Sequence, residues 1–345
     1  MIKDAINLLI QGKALTEKEA SDAAEAIMSG EATPTQIAGF LVALRLKGES
    51  VQEILGMTKV MREKSLKVNI VGEVIDIVGT GGDGLNTFNI STASAFVTAA
   101  AGIKVAKHGN RAASGRMGAA DILESKGTKL ELSPGAVARC IDEIGIGFMF
   151  APTFHPAMRF AGPPRRELGI RTIFNFLGPL TNPAGAQYQV LGVAQPKDAS
   201  YDVAEALANV LADLGTKSTW IVRGDDGLDE LTTTGFSQVW EVKQGNVRHF
   251  RIDPTELGLQ LADLSQLQIE TTEDGVEKFD VALSSSDSPE RDIVLLNSAA
   301  ALFTSGKVES LKSGVELSRD VVNSGEAMNK VAELAEFTQR LDKDG

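Results

Sequence analysis

Apolar positions in the first 65 residues recur at helical spacing. Ile37, Phe40, Leu41 and Leu44 form an i, i+3, i+4, i+7 stripe. Thr16 with Glu19, and Ser50 with Glu53, are capping-box pairs. Thr33-Pro34 sets an N-cap before a proline at the first helical position, and Gly48 closes that helix. No strand pattern interrupts these stretches, so residues 1–68 are expected to form a small all-α domain.

From Val74 the texture changes. Val74-Ile75-Asp76-Ile77-Val78 is a short apolar run stopped by Gly79, the mark of a buried strand. A helix over 91–101, a strand over 103–106 and a helix over 118–126 are expected to follow. Strands over 189–194 and 220–223 flank a helix over 199–214. Alternation of this kind implies a mostly parallel sheet with helices on both faces. Residues 238–242 and 247–252, joined by Gln244-Gly245-Asn246, read as a hairpin. Three helices, near 290–303, 308–322 and 326–341, close the chain. Residues 69–345 are therefore expected to be a larger α/β domain. There is no internal repeat and no low-complexity linker.

Composition narrows the function. With 43% hydrophobic and 23% charged residues, the chain can fill a core and is not a disordered or coiled-coil sequence. The single cysteine, Cys140, excludes a disulfide framework and a cysteine-based zinc site. An acid at Asp4 spoils any signal segment, and the uncharged run 85–103 is rich in Asn, Ser and Thr. A soluble, cytoplasmic protein without membrane contact is expected. The formal charge of −12 argues against nucleic acid as a partner. Residues 104–171 nevertheless hold 11 Lys/Arg against 6 Asp/Glu, a basic island suited to a small polyanion. Residues 253–290 hold 10 acids against one lysine and read as a solvated surface.

Four motifs carry candidate chemistry. Gly79-Thr80-Gly81-Gly82-Asp83-Gly84 follows a strand and leads through Asn86–Asn89 to a helix opening at Ser91-Thr92. Glycines let backbone N–H groups face a pocket, and a helix N-terminus favours anions, so a phosphate site is the direct reading. Gly79-x-Gly81-x-x-Gly84 also matches the dinucleotide fingerprint. The loop is too long for it, however, and Lys107-His108 stands where an acid should bind ribose. Lys107-His108-Gly109-Asn110-Arg111-Ala112-Ala113-Ser114-Gly115 ends the second strand, on the same side of a parallel sheet. Pro163-Pro164-Arg165-Arg166-Glu167, running on to Arg171 and Gly178-Pro179-Leu180-Thr181-Asn182-Pro183, offers guanidinium groups for a carboxylate. Gly224-Asp225-Asp226-Gly227-Leu228-Asp229-Glu230 gathers four acids, which repel unless a cation or solvent intervenes; hard oxygens suit Mg²⁺ bridging to a phosphate. A solvated acidic turn is the other reading of that loop.

Together these motifs, with His155-Pro156-Ala157-Met158, resemble the anthranilate phosphoribosyltransferase family over nearly the whole chain. The resemblance implies a fold similar to pyrimidine nucleoside phosphorylases, with a helical segment near 163–185 returning to the N-terminal domain. It implies transfer of phosphoribose from phosphoribosyl pyrophosphate (PRPP) to the amine of anthranilate, in tryptophan biosynthesis, and a homodimer formed through the helical domain. It implies PRPP contacts at Gly79, Gly82, Asp83, Thr87, Asn89, Ile90, Ser91 and Thr92, along Lys107–Gly115, and at Ala119. It further implies anthranilate contacts at Gly79, Asn110 and Arg165, and two Mg²⁺ per subunit, with Ser91, Asp229 and Glu230 as ligands. No side chain stands out as a general base; His108 is the candidate that remains. Met117 and Ala119 replace family serines, Pro164 a valine and Arg223 a histidine, without removing a charge or ligand named above. A nucleoside phosphorylase, a dinucleotide-dependent oxidoreductase and a nucleic-acid-binding relative are the competing readings.

Overall fold

The computed structural model describes residues 2–112, 117–197 and 199–343. Four helices come first: α1 (Ile2–Ile10), α2 (Glu17–Met28), α3 (Pro34–Lys47) and α4 (Val51–Lys64). Their caps form as the sequence implies. Thr16, Thr33 and Ser50 each accept from the backbone three residues on, and the Glu or Gln there reaches back to the cap.

A seven-stranded sheet follows: β1 (Ile75–Gly79), β2 (Val105–Gly109), β3 (Ile146–Phe150), β4 (Tyr188–Gly192), β5 (Ser218–Gly224), β6 (Ser237–Lys243) and β7 (Asn246–Ile252). Its order is β3-β2-β1-β4-β5-β6-β7. The first five strands are parallel, and β6 and β7 add an antiparallel hairpin at one edge. Gln244 and Gly245, at φ 52° and 77°, make its two-residue turn, so Asn246 already belongs to β7. The chain leaves β1 toward β2 and β3, then returns to place β4 on the other side of β1. That reversal opens a crevice beyond the C-terminal ends of β1 and β4, where open α/β sheets bind ligands.

Several boundaries differ from the sequence reading. β2 runs on through Lys107 and His108, which places both in the sheet rather than after it. The helix expected from Ala199 begins at Val203, because Asp202 accepts from Glu205 N at 3.2 Å and caps it there. β3 and the helix Pro134–Ile144 before it were not expected. Their signals were present: Ser133-Pro134 is an N-cap with proline at the first position, and Gly145 closes the helix at φ 80°.

Two hydrophobic cores lie on opposite faces of the sheet. One gathers the helix α5 (Ile90–Ala100), Ile77, Phe148 and the C-terminal helices. The other joins the N-terminal helices to Leu191, Val193, Ile221 and Trp240 on the sheet, and to Ala161, Phe174, Phe176 and Leu180. The N-terminal helices therefore share their core with the sheet and with the segment 161–180.

Candidate functional site

Gly79 and Gly192 end β1 and β4 in register, side by side at the mouth of the crevice. The acidic loop after β5 lies over them. A Cβ on Gly79 would come within 2.5 Å of Asp229 Oδ2, and one on Gly192 would overlap the Asp229 carbonyl. Both glycines are there for close backbone approach rather than for an unusual φ. Asp229 Oδ2 in turn accepts the Gly81 N–H at 2.7 Å. Glu230 accepts the Ser91 backbone N–H at the start of α5. Asn89, not Ser91, caps that helix, accepting from Thr92 N at 3.0 Å. Lys107 reaches in from β2 and donates to Ile77 O at 2.5 Å and to Ser91 Oγ at 3.2 Å.

The electrostatics of this group are unusual. Asp229 and Glu230 keep a partly exposed edge but are otherwise enclosed by protein. Burial and the Asp83 carboxylate push Asp229 up to about 7, against the relief given by the Gly81 N–H and Arg171. Burial and Asp229 raise Glu230, and Lys107 partly offsets this. Burial lowers Lys107 to about 8, opposed by Asp76 and Glu230. The result is a pair of enclosed carboxyl groups whose ionised forms the protein alone does not fully compensate, so that a bound cation would favour their ionisation.

The four acids of the loop separate into two pairs. Asp225 pairs with Arg251 and accepts from Gln238 at 2.7 Å. Asp226 accepts from Thr232 and Thr234 hydroxyls at 2.7 and 2.6 Å. Only Asp229 and Glu230 face the crevice group, so mutual repulsion of all four is not what the loop presents.

Other expected residues are placed as follows. Asp83 is engaged by Leu85 N at 3.0 Å. Thr87 bridges to Gln268, and Gln268 Nε2 donates to Leu85 O at 3.0 Å, so this one residue of the acid-rich block pins the far end of the glycine loop. Ile90 and Thr92 are buried in α5. Asn110 is exposed after β2, with Oδ1 accepting from Arg111 N at 2.8 Å. The Arg111 guanidinium is committed elsewhere, to Glu124 at 2.7 Å and Asp121 at 3.1 Å. Asp121 also accepts from Ala112 N and Gly118 N, tying the two ends of the loop together ahead of Ala119. Ala113, Ser114 and Gly115 lie outside the described residues. Arg165 sits on the helix Met158–Leu168, half-buried, its guanidinium 5.1 Å from the Phe174 ring centroid. His108 is 3% exposed, bonded to the Gly178 backbone, with its ring 5.0 Å from that of His155. Burial, with His155 beside it, holds it down at about 3, so it is a poor proton acceptor at neutral pH.

Sequence reasoning missed a buried joint behind the crevice. Asp76 on β1 accepts from His108 N at 3.2 Å and from Asn182 Nδ2 at 2.8 Å, and Asn182 Nδ2 also donates to Ala106 O at 2.8 Å. This ties β1, β2 and the 178–183 turn together. The signal was an acid inside an otherwise apolar strand, which needs a buried partner.

Asp229 and Glu230 fit Mg²⁺: two adjacent carboxyl groups, hard oxygen donors, and a setting in which burial opposes their ionisation unless a cation offsets it. Among the described residues no group of three or more His, Cys, Asp or Glu could hold a metal alone. A cation here would complete its shell with water and substrate oxygens, the habit of Mg²⁺. Among the described residues no helix is long and apolar enough to cross a membrane.

Comparison with known proteins agrees with this architecture. Residues 3–65 match the helical bundle domain of the glycosyl transferase family, and residues 71–328 match its α/β domain. The chain is 47% identical over 343 residues to the anthranilate phosphoribosyltransferase of Dehalococcoides mccartyi, covering 99% of each. It is 51% identical over 332 residues to that of Chloroflexus aggregans, covering 96% of each. The crystal structure of the Thermus thermophilus enzyme superposes with a TM-score of 0.89 at 43% identity, over 97% of this chain and 99% of that one. The Saccharomyces cerevisiae enzyme in complex with PRPP and Mg gives 0.89 at 27% identity, over 98% of each. With both domains matched and identity near half along the full length, the chain belongs to the anthranilate phosphoribosyltransferase family.

Proposed function

We propose that this chain joins anthranilate to PRPP, giving N-(5-phosphoribosyl)anthranilate and pyrophosphate, with the crevice between β1 and β4 as the diphosphate site. The observation that carries this reading is Asp229 laid over Gly79 and Gly192 and bonded to the Gly81 N–H, with Glu230 next to it on the Ser91 N–H and near Lys107. Displacement at C1 of the ribose builds negative charge on the leaving diphosphate. The glycine-loop N–H groups, the start of α5 and Lys107 offer fixed positive potential to that charge. Mg²⁺ bound through Ser91, Asp229 and Glu230 supplies further charge neutralisation there. We assign two ions, one at Ser91 and one at the acid pair.

Asn110 and Arg165 are proposed to orient anthranilate, the guanidinium taking its carboxylate. Aromatic amines are weakly basic and neutral at pH 7, so position matters more than a base. This agrees with the low basicity of His108. The test is anthranilate fluorescence lost on adding PRPP and Mg²⁺, abolished by a chelator. Phosphorolysis of thymidine or uridine in place of that reaction would favour the nucleoside phosphorylase reading.

A homodimer through the N-terminal helices is part of the proposal. α1 and α3 pack together, and each carries one exposed apolar residue, Ile10 at 68% and Leu46 at 84%, that a second subunit would cover. Sedimentation of Ile10→Ser, Leu46→Ser against the parent chain tests it; an unchanged mass distribution refutes it.

A further inference from the structure

Arg171 has no part in the reaction as drawn above, yet its guanidinium is held on more than one side. It lies between the helix Met158–Leu168, closed by Gly169, and the helix Phe174–Leu180. Nη1 donates to the Gly82 carbonyl at 3.0 Å. The guanidinium stacks on Phe176, 5.5 Å from the ring centroid, and that ring is only 1% exposed. A Cβ on Gly82 would come within 3.0 Å of Nη1 and 3.4 Å of Cζ, so a side chain there would press the guanidinium aside, and the positive φ of 76° favours glycine as well.

The glycine loop needs such an anchor. Gly81, Gly82 and Gly84 all sit at positive φ, at 67°, 76° and 77°. Chains of glycine move between backbone states at little cost, so the loop's own sequence does not select one arrangement. At 81 and 82 two outside contacts do. Asp229 takes the Gly81 N–H, and Arg171 takes the Gly82 carbonyl. In a trans peptide the carbonyl and the following N–H point in opposite directions. Holding the Gly82 oxygen toward Arg171 therefore turns the Asp83 N–H to the opposite side.

We propose that Arg171 is a positioning residue for diphosphate binding, which fixes the 82–83 peptide plane and thereby the direction of the Asp83 N–H. This rests on the crevice being the diphosphate site. It also gives the segment carrying Arg165 a direct hold on the phosphate loop, since Arg165 and Arg171 share one short stretch of chain.

The test compares Arg171→Met, which removes the donors and keeps an apolar stem over Phe176, with Arg171→Lys, which keeps a charge and a donor. PRPP binding is measured by calorimetry with Mg²⁺ and no anthranilate, alongside KM and kcat for both substrates. The Met variant is expected to raise the PRPP Kd and KM by about 10- to 100-fold, the effect of one charge-assisted hydrogen bond, with anthranilate KM changed by less than about 3-fold. The Lys variant is expected to recover part of the PRPP affinity. Should the Met variant not fold, the Lys variant carries the test alone, with a rise in PRPP Kd of about 3- to 10-fold at an unchanged Tm. PRPP affinity at the parent value in either folded variant overturns the proposal, as does an equal loss for both substrates. A parent protein that fails to bind PRPP removes the crevice reading itself, a result the variants are not needed to see.

Discussion

At the scale of single residues, Asp229 and Glu230 decide what the crevice can do. Each is charged in the unfolded chain above the ordinary carboxylate range, but burial opposes that charge in the fold, with Asp83 adding to it at Asp229 and Asp229 adding to it at Glu230. The folded pKa is raised, so above about pH 7 the ligand-free protein is destabilised by them. Asp229→Asn, Glu230→Gln is therefore expected to raise Tm at pH 8 while turnover falls by at least about 100-fold, because neutralisation of the leaving group is lost. Thermal melts paired with a Mg²⁺ titration of the rate check this; parent-like turnover at low Mg²⁺ would sink the metal assignment. Arg165→Ala tests the other substrate. Losing a guanidinium–carboxylate contact costs roughly 1.5–3 kcal/mol, so anthranilate KM should rise about 10- to 100-fold with PRPP binding spared. The motif residues themselves were legible in the sequence, because glycine loops and adjacent acids announce local chemistry. The partners of Asp76 were not. Asn182 lies 106 positions away, and only the return of the chain brings the two together.

At the scale of elements, glycines mark where one piece of backbone rests on another. Gly192 ends β4 without positive φ, and its missing Cβ makes room for the Asp229 carbonyl. Gly192→Ala should push the acidic loop off the crevice, costing about 1–3 kcal/mol of stability and most of the activity. Gly135 is the contrast: it sits in the helix Pro134–Ile144 with nothing within 4 Å of a Cβ. Gly135→Ala is expected to stabilise the protein by roughly 0.5–1 kcal/mol at unchanged turnover. Denaturant melts distinguish the two, and equal shifts would show that neither position acts as argued. The same contrast explains what could be read in advance. The capping boxes, the hairpin and the alternation from β1 onward follow from local chemistry. The start of the helix at Val203 depended on Asp202 as cap, and that acid is also drawn into an ion pair with Arg223 at 2.8 Å. β3 is a short apolar run just after a helix, where periodicity does not separate strand from helix.

At the scale of the whole molecule, buried groups of opposite kind set how stability follows pH. Burial holds His108 at about 3, with His155 adding to the effect, and holds His155 itself at about 4, with Lys67 adding to it. Both rings are neutral in the fold. Unfolded histidines take up protons below about 6.5, so stability is lost as pH falls from there toward 4. Asp76 is raised to about 6 by burial, Glu49 is raised by burial too, and Asp229 and Glu230 are raised as well. These acids hold protons in the fold that the unfolded chain has already released, so stability is gained as pH falls from about 7 toward 4. The two sets oppose one another across the same window. Ligand-free parent protein is expected to show a nearly flat Tm from pH 6.5 down to 4.5. Asp229→Asn, Glu230→Gln removes two of these raised acids and leaves both histidines. Its stability should then decline with falling pH by on the order of 1 kcal/mol per pH unit, the slope of one uncompensated proton. Tm measured across that range on both proteins decides it. Parallel profiles would mean that the acid pair is ionised in the fold without strain, and that the crevice has no excess charge for a cation to relieve.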